Sequence, residues 1–371
     1  MSRLRLAIPP APRRRQAGFT IIEVLIASLI MAAVVIGALS IYVKTNKTAS
    51  DQQQYVQIQQ DVRAAIYYVS RDVRMAGAGL PSNYFQAAIQ GTDNEDQGGT
   101  VKPDRIQIMG NMEAPFSLTI QSCNGSGTKI TLADHSFEQY PYPDSYYVGQ
   151  ICLLLPKSSS TCTGAAVRQI TGVIHNSGGT NEAFQFSHGQ AKDINPPGGL
   201  KDVCADTEYV GGTVLFADFY EYWLDVTGNY TGLTAGTNGY IGGGTAGVLY
   251  QTHDNTYSPI AMNIEDFQVQ YDGNFDGDSS GTLDGFTDWN SSWTATQIAS
   301  IRRVRIWVVG KTPSRFTSIS AAPQSSGSIY RHPAIANSAA GTTDDWCKRF
   351  VLETTSNIRN LSLGIYNTGV R

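Results

Sequence analysis

The sequence predicts an α+β protein: a long amino-terminal helix, part membrane-type and part amphipathic, packed on an antiparallel β-sheet headpiece with large loop insertions. Three observations carry this. Residues 19–43 form a run of 25 with one charged member, Glu23. From Ala38 to Ala76 there is neither glycine nor proline, and apolar residues recur at helical spacing. Beyond Pro81, short runs of β-type residues are separated by Gly, Asn, Asp and Ser. Four segments are therefore expected: a basic leader (1–18), the membrane half of the helix (19–43), its amphipathic half (44–77) and a β-rich extracytoplasmic headpiece (78–371).

A helix of 25 residues rises about 37 Å, enough for a hydrocarbon core of ~30 Å. Arg13, Arg14 and Arg15 stand just before it, and the positive-inside rule keeps that end cytoplasmic and the body outside. An ordinary signal peptide is a poor fit. Its apolar stretch spans roughly 7–15 residues, shorter than this one, although Ala38-Leu39-Ser40 imitates a cleavage site. A plain anchor explains the length and the arginines but not Glu23, because an acid in a spanning helix costs up to ~2.5–3.5 kcal/mol at the centre and less near an end. A cut between Gly18 and Phe19 explains both. Phe19 then becomes the amino terminus, and Glu23 lies one helical turn away as the fifth residue. A carboxylate in lipid needs a cation, and the terminal amine of a neighbouring subunit supplies one.

In the second half, Tyr55, Ile58, Val62, Ile66, Val69 and Val73 recur at intervals of three and four, the signature of one buried helix face. The intervening Gln52, Gln53, Gln59, Asp61, Arg63, Arg71 and Asp72 are expected toward solvent or neighbouring subunits. One nearly continuous helix from Phe19 to Ala76 would measure about 87 Å. Glycines at 77 and 79 and Pro81 end it. Strands are expected at 105–109, 116–120, 183–187, 219–223, 267–271 and 303–309, where apolar and polar residues alternate. Residues 228–247 and 321–343 read as long surface loops.

The string GFTIIEVLIASLIMAAVVIGALS, from Gly18 to Ser40, closely resembles the amino-terminal signature of type IV pilins and type II secretion pseudopilins. The resemblance implies that a prepilin peptidase cuts after Gly18, that Phe19 is N-methylated and that Glu23 aligns subunits during assembly. Three later stretches are similar to PilW-type minor pilins: Ile66 to Gly77, containing Arg71-Asp72-Val73-Arg74-Met75; Asp266 to Tyr271, followed by an Asp/Gly-rich loop and Ile301 to Val309; and Arg349-Phe350 to Asn360. Between about Pro81 and Ala261 nothing beyond β texture is inherited. The implied role is a minor type IV pilin in a complex that primes or tips pilus assembly. Its implied partners are other minor and major pilins, the prepilin peptidase and the inner-membrane assembly platform. The implied location is a single pass in the inner membrane with the headpiece in the periplasm, then the pilus or cell surface. Two alternatives stay open: a J-class minor pseudopilin of type II secretion, and a tip adhesin binding a carbohydrate or surface ligand.

Charge excludes another class. The first eighteen residues hold five arginines and no acid, so their removal leaves 22 basic against 31 acidic residues, a net charge of −9. A nucleic-acid partner is not expected. The five cysteines lack C-x-x-C spacing and clustered histidines, so disulfides in an oxidising compartment are expected rather than zinc. Turn residues between Cys152 and Cys162 suggest a bridged hairpin, with Cys123–Cys204 as a second pair and Cys347 unpaired. Asp272, Asn274, Asp276 and Asp278 alternate oxygen ligands around Gly277, as in a calcium loop. The twelfth position is Leu283 instead of a bidentate acid, so Asp284 or Asp288 would substitute, and the other reading is a metal-free turn. His135, His175, His188, His253 and His332 fall in no catalytic pattern and no nucleophile or phosphate-binding motif is present, so no enzyme is expected. Tyr140, Tyr142, Tyr146 and Tyr147 either stack on sugars or pack the sheet edge.

Overall fold

The computed structural model describes residues 18–80, 88–98, 101–112, 116–162, 164–175, 181–190, 195–244, 247–253, 256–278, 282–316, 330–342 and 345–358. The leader positions before Gly18 and residues 321–329 of the expected loop lie outside these. Helix α1 runs from Ile21 to Met75. The chain divides into two compact units, the first reaching Gln53 and the second holding residues 54–316 and 321–371.

In the first unit, α1 is long and apolar enough to cross a membrane. Its large side chains, Leu29, Met31, Ile36 and Ile41 among them, are all exposed. In the second unit, the expected stripe is the buried face: Ile58, Val62, Val69 and Val73 have no exposure. Each such side chain contributes roughly 1.5–3 kcal/mol relative to leaving it in water. Gly77 ends the helix with φ +73°, in the left-handed region that glycine enters without a steric penalty, and its N–H donates to the Met109 carbonyl. Asp72 corrects the sequence reading. It is buried rather than solvent-facing, bonded by Arg71 Nε at 2.6 Å, Gln251 Nε2 at 2.9 Å and the Tyr222 hydroxyl. Its spacing of three from Val69 places it on the apolar face, where a carboxylate needs such donors.

The strands are all antiparallel in pairing. β1 (Ile89–Thr92), β2 (Arg105–Gly110), β3 (Ser117–Cys123) and β4 (Lys129–Leu132) come first. β5 (Ile151–Leu155), β6 (Ala166–Gln169), β7 (Gly172–Ile174) and β8 (Ala183–Gln185) follow. With β9 (Thr213–Asp225), β10 (Val248–His253) and β11 (Thr256–Ala261) they make a branched sheet of eleven strands. A second sheet of four has the order β13-β12-β14-β15, from β12 (Ile264–Asp272), β13 (Thr287–Asp288), β14 (Arg303–Lys311) and β15 (Arg349–Asn357).

The thirteen residues of β9 organise the headpiece. Residues 213–217 pair with β5, and 213–215 with β3. Residues 218–223 pair with β2, and 220–225 with β10. Because its partners change along its length, β9 feeds two cores. One joins α1 to β2, β12 and β14 through Val62, Val69, Val73, Ile108, Phe267 and Val308. The other lies among β3, β4, β5 and β8 around Leu118, Ile130, Leu154, Phe184 and Phe216.

The expected cysteine pairs are both overturned. The disulfide joins Cys162 to Cys204, with Cα atoms 5.9 Å apart, and Cys123, Cys152 and Cys347 are free. Cys152 pairs with Arg168 on β6 and Phe216 on β9, and is fully buried in the second core. Cys162 lies in the loop between β5 and β6, short of Arg168, which stands opposite Cys152, and so does not meet it across the hairpin.

Candidate functional site

Among the described residues, nothing packs against the Gly18-Phe19 junction. Gly18 has no atom within 4 Å of where a Cβ would stand, and Phe19 is 86% exposed. Thr20 then caps α1. Its N–H and its Oγ1 donate to Glu23 Oε2 at 3.0 and 2.9 Å, and the Glu23 N–H returns a bond to Thr20 Oγ1 at 3.4 Å. This is a capping box, in which residues three apart satisfy each other's free helix-end donors. The sequence reading assigned Glu23 to a neighbouring subunit and missed this local role, although Thr20-Ile21-Ile22-Glu23 spells the T-x-x-E signature.

The proposed calcium ligands are turned inward on their own loop. Asp272 is fully buried, accepts from Gly285 N–H at 3.0 Å and forms an ion pair with Arg303. Asn274 Oδ1 accepts from Gly277 N–H at 3.0 Å, and Asp276 Oδ1 from Asp278 N–H at 2.9 Å. Asp278 Oδ1 takes a bond from Asn274 Nδ2 at 3.1 Å, and Asp284 Oδ2 accepts from the N–H groups of Phe275 and Asp276 at 2.6 and 2.9 Å. These are side-chain-to-backbone turns of the kind Asp and Asn form without a metal. Among the described residues no group of three or more His, Cys, Asp or Glu is placed to hold an ion.

Several other polar groups of the headpiece hold its segments together. Arg349 of β15 is clamped by Glu265 at 2.6 and 2.7 Å and by Asp345 at 2.8 Å, with Lys311 2.7 Å from Asp345. The guanidinium and ammonium hold the Asp345 carboxyl far below the ordinary carboxylate range, against the effect of its burial. Asp104 takes N–H groups from Asn94 at 3.0 Å and Val269 at 2.7 Å, tying the loop after β1 to β12, and burial pushes its pKa up to about 8. His332 bridges Asp266, at 3.0 Å, and the Ala339 carbonyl, at 3.2 Å. Burial alone would lower its pKa, but these two acceptors favour the doubly protonated ring and raise it. Of the tyrosines, Tyr140 and Tyr142 stack on Phe116 at 4.2 and 5.6 Å, Tyr142 on Tyr146 at 4.3 Å, and Tyr147 is buried. Most of this cluster is packing, with Tyr142 partly open to solvent.

The prokaryotic N-terminal methylation motif matches residues 13–39, which include the Gly18-Phe19 junction and Glu23. Among solved structures, a type IV-like pilin from Thermus thermophilus is similar at 14% identity; the match covers 58% of this chain and 90% of that one with a TM-score of 0.20. No curated protein matches the chain. The motif, on a helix apolar and long enough to cross a membrane, supports a type IV pilin-like or pseudopilin subunit.

Proposed function

We propose that the chain is a minor pilin-type subunit. A prepilin peptidase cuts it after Gly18, and Phe19 is methylated. Residues 19–43 hold it in the inner membrane with its headpiece in the periplasm, and it joins other minor and major pilins at the assembly platform to prime or tip a filament. The observation that carries this is the methylation motif over 13–39, whose cleavage junction stands exposed ahead of an apolar helix. A structural rather than catalytic role is supported by the same prepilin motif. Shearing filaments from cells that carry a tagged chain tests it. The tag should travel with the filament fraction, or with co-purified minor pilins, only when the peptidase is active; a tag confined to the membrane in both strains contradicts it.

The same motif fits a J-class pseudopilin, and loss of protein secretion rather than of filaments on deletion would favour that reading. An adhesive headpiece is favoured only by the partly open ring of Tyr142, and a glycan array would detect it. Calcium at Asp272, Asn274, Asp276, Asp278 and Asp284 is a further proposal that rests on sequence spacing. It requires those side chains to exchange backbone N–H groups for a cation. Binding at 100 times Kd would add about 2.7 kcal/mol to stability. A higher melting temperature in millimolar calcium than in chelator supports it, and coincident curves leave the loop a self-capped turn.

A further inference from the structure

Between the headpiece portion of α1 and β15 runs a groove of about 560 Å³, lined by Arg63, Tyr67, Ser70, Arg71, Arg74 and Thr354 with Ile66, Met75 and Leu352. Three properties set it apart. Its cations are in excess: Arg71 pairs with Asp72, but Arg63 and Arg74 form no ion pair with any described residue, although the chain without its leader is strongly acidic. Ser70 is 6% exposed, and its Oγ lies buried at the groove without a hydrogen-bond partner. Such an atom costs free energy while it stays unsatisfied. The third property is the strand beside the groove. β15 is the last strand of the four-stranded sheet, and among the described residues it pairs with β14 alone. In an antiparallel ladder, alternate N–H and C=O groups of such a strand point away from its one partner. Its side chains alternate too, with Val351, Glu353 and Thr355 exposed while Leu352 and Thr354 line the groove.

We propose that this groove and the free edge of β15 together receive an extended acidic segment of a neighbouring subunit, added as a fifth strand to the sheet. A strand hydrogen-bonded to β15 would lie about 4.8 Å from it. Every second side chain of that strand would then point into the groove, toward Tyr67, Arg71 and Arg74. Main-chain bonds supply affinity in this mode, and alternate side chains supply selectivity. Carboxylates at the inward positions meet Arg63 and Arg74, which form no ion pair with any described residue, beside the already paired Arg71. An exposed edge of this length is a liability that folds usually cover or blunt. The chain's own residues 359–371 follow β15 directly, but they hold two arginines and no acid, the wrong charge for the groove. That the donor is another subunit rests on the pilin-type reading. The preference for an acidic strand does not, and the measurement below reads that preference by itself.

The probe is a nine-residue peptide in which glutamates alternate with valine and threonine, labelled at one end and titrated against the full-length chain in detergent micelles. Its control replaces the glutamates with lysines. The glutamate peptide should bind and the lysine peptide should not, and binding should weaken as salt rises. Arg63→Gln with Arg74→Gln should lower the affinity about tenfold, as two partly exposed charge pairs would, while leaving the melting temperature unchanged. Hydrogen exchange should slow on binding at amides within 349–357. Equal binding of both peptides, no binding at millimolar concentration, or protection confined to other strands would overturn the proposal. So would binding that appears only after residues 359–371 are removed, because that would make the chain's own tail the occupant.

Discussion

Glu23 has two roles that one substitution cannot separate, but two can. As the third helical residue of a capping box it needs only an acceptor at that position, which glutamine supplies as well as glutamate does. As the partner of a neighbour's terminal amine it needs its charge. Glu23→Ala removes both functions; Glu23→Gln removes only the charge. If the charge acts between subunits, both variants should insert normally and both should fail to enter filaments, read by immunoblot of sheared material. Assembly by Glu23→Gln at the wild-type level would leave the capping box as its whole role. Two buried groups give the headpiece a pH dependence of definite sign. The folded-state pKa of Asp104 is raised from 3.8 to about 8, so its contribution is lost as pH climbs through that window. His332 is raised above 6.5, so its contribution is complete below that value and is also lost on going alkaline. The melting temperature should therefore fall as pH rises from about 4 to 8, and Asp104→Asn should flatten the slope while lowering the whole curve, because an amide offers one acceptor where two N–H groups arrive. A slope unchanged by that variant would remove Asp104 from the explanation. Of these residues the sequence flagged Glu23 alone. An acid in an apolar run is conspicuous, whereas Asp104 and Asp72 look like ordinary surface carboxylates until distant strands close over them.

Elements were legible where a periodic pattern had one cause. The stripe Ile58, Val62, Ile66, Val69 and Val73 has a period of 3.6 because one face meets the sheet, and all five are buried. The alternation in 105–109 and 303–309 has a period of two for the same reason, and β2 and β14 cover those residues. β9 was seen only at residues 219–223, because a strand buried on both sides over much of its length loses its alternation. The second core was legible only in part: the expected strands at 116–120 and 183–187 correspond to β3 and β8, whereas β4, β6 and β7 have three or four residues each, too few to display a period. Cysteine pairing was illegible because it depends on which loops meet. Cys162 and Cys204 are 42 residues apart and are joined by tertiary placement. Closing a loop of that size stabilises the fold by about 4 kcal/mol in the chain-entropy model. Non-reducing peptide maps of protein from an oxidising compartment should therefore contain a 162–204 cross-link, and Cys162→Ser with Cys204→Ser should lower stability by about 2–4 kcal/mol. A 152–162 cross-link instead would contradict the placement of β5 and β6.

For the molecule as a whole, the division into a membrane-type helix segment and a β headpiece follows from two opposite demands on one continuous helix. From Phe19 to Val43 every large apolar side chain is exposed, which water would penalise and a lipid or helical bundle would reward. From Ile58 onward the apolar face is covered by the protein's own sheets. One covalent event joins these demands, the cut that makes Phe19 an amino terminus four residues before Glu23. Intact-mass and amino-terminal sequencing of the chain recovered from membranes tests that event most directly. With active prepilin peptidase the protein should begin at Phe19, carry one added methyl group and lack residues 1–18, and without the peptidase it should keep them. An uncut chain in both strains, or one beginning at Ile41 after an ordinary signal-peptide cut, would contradict the account.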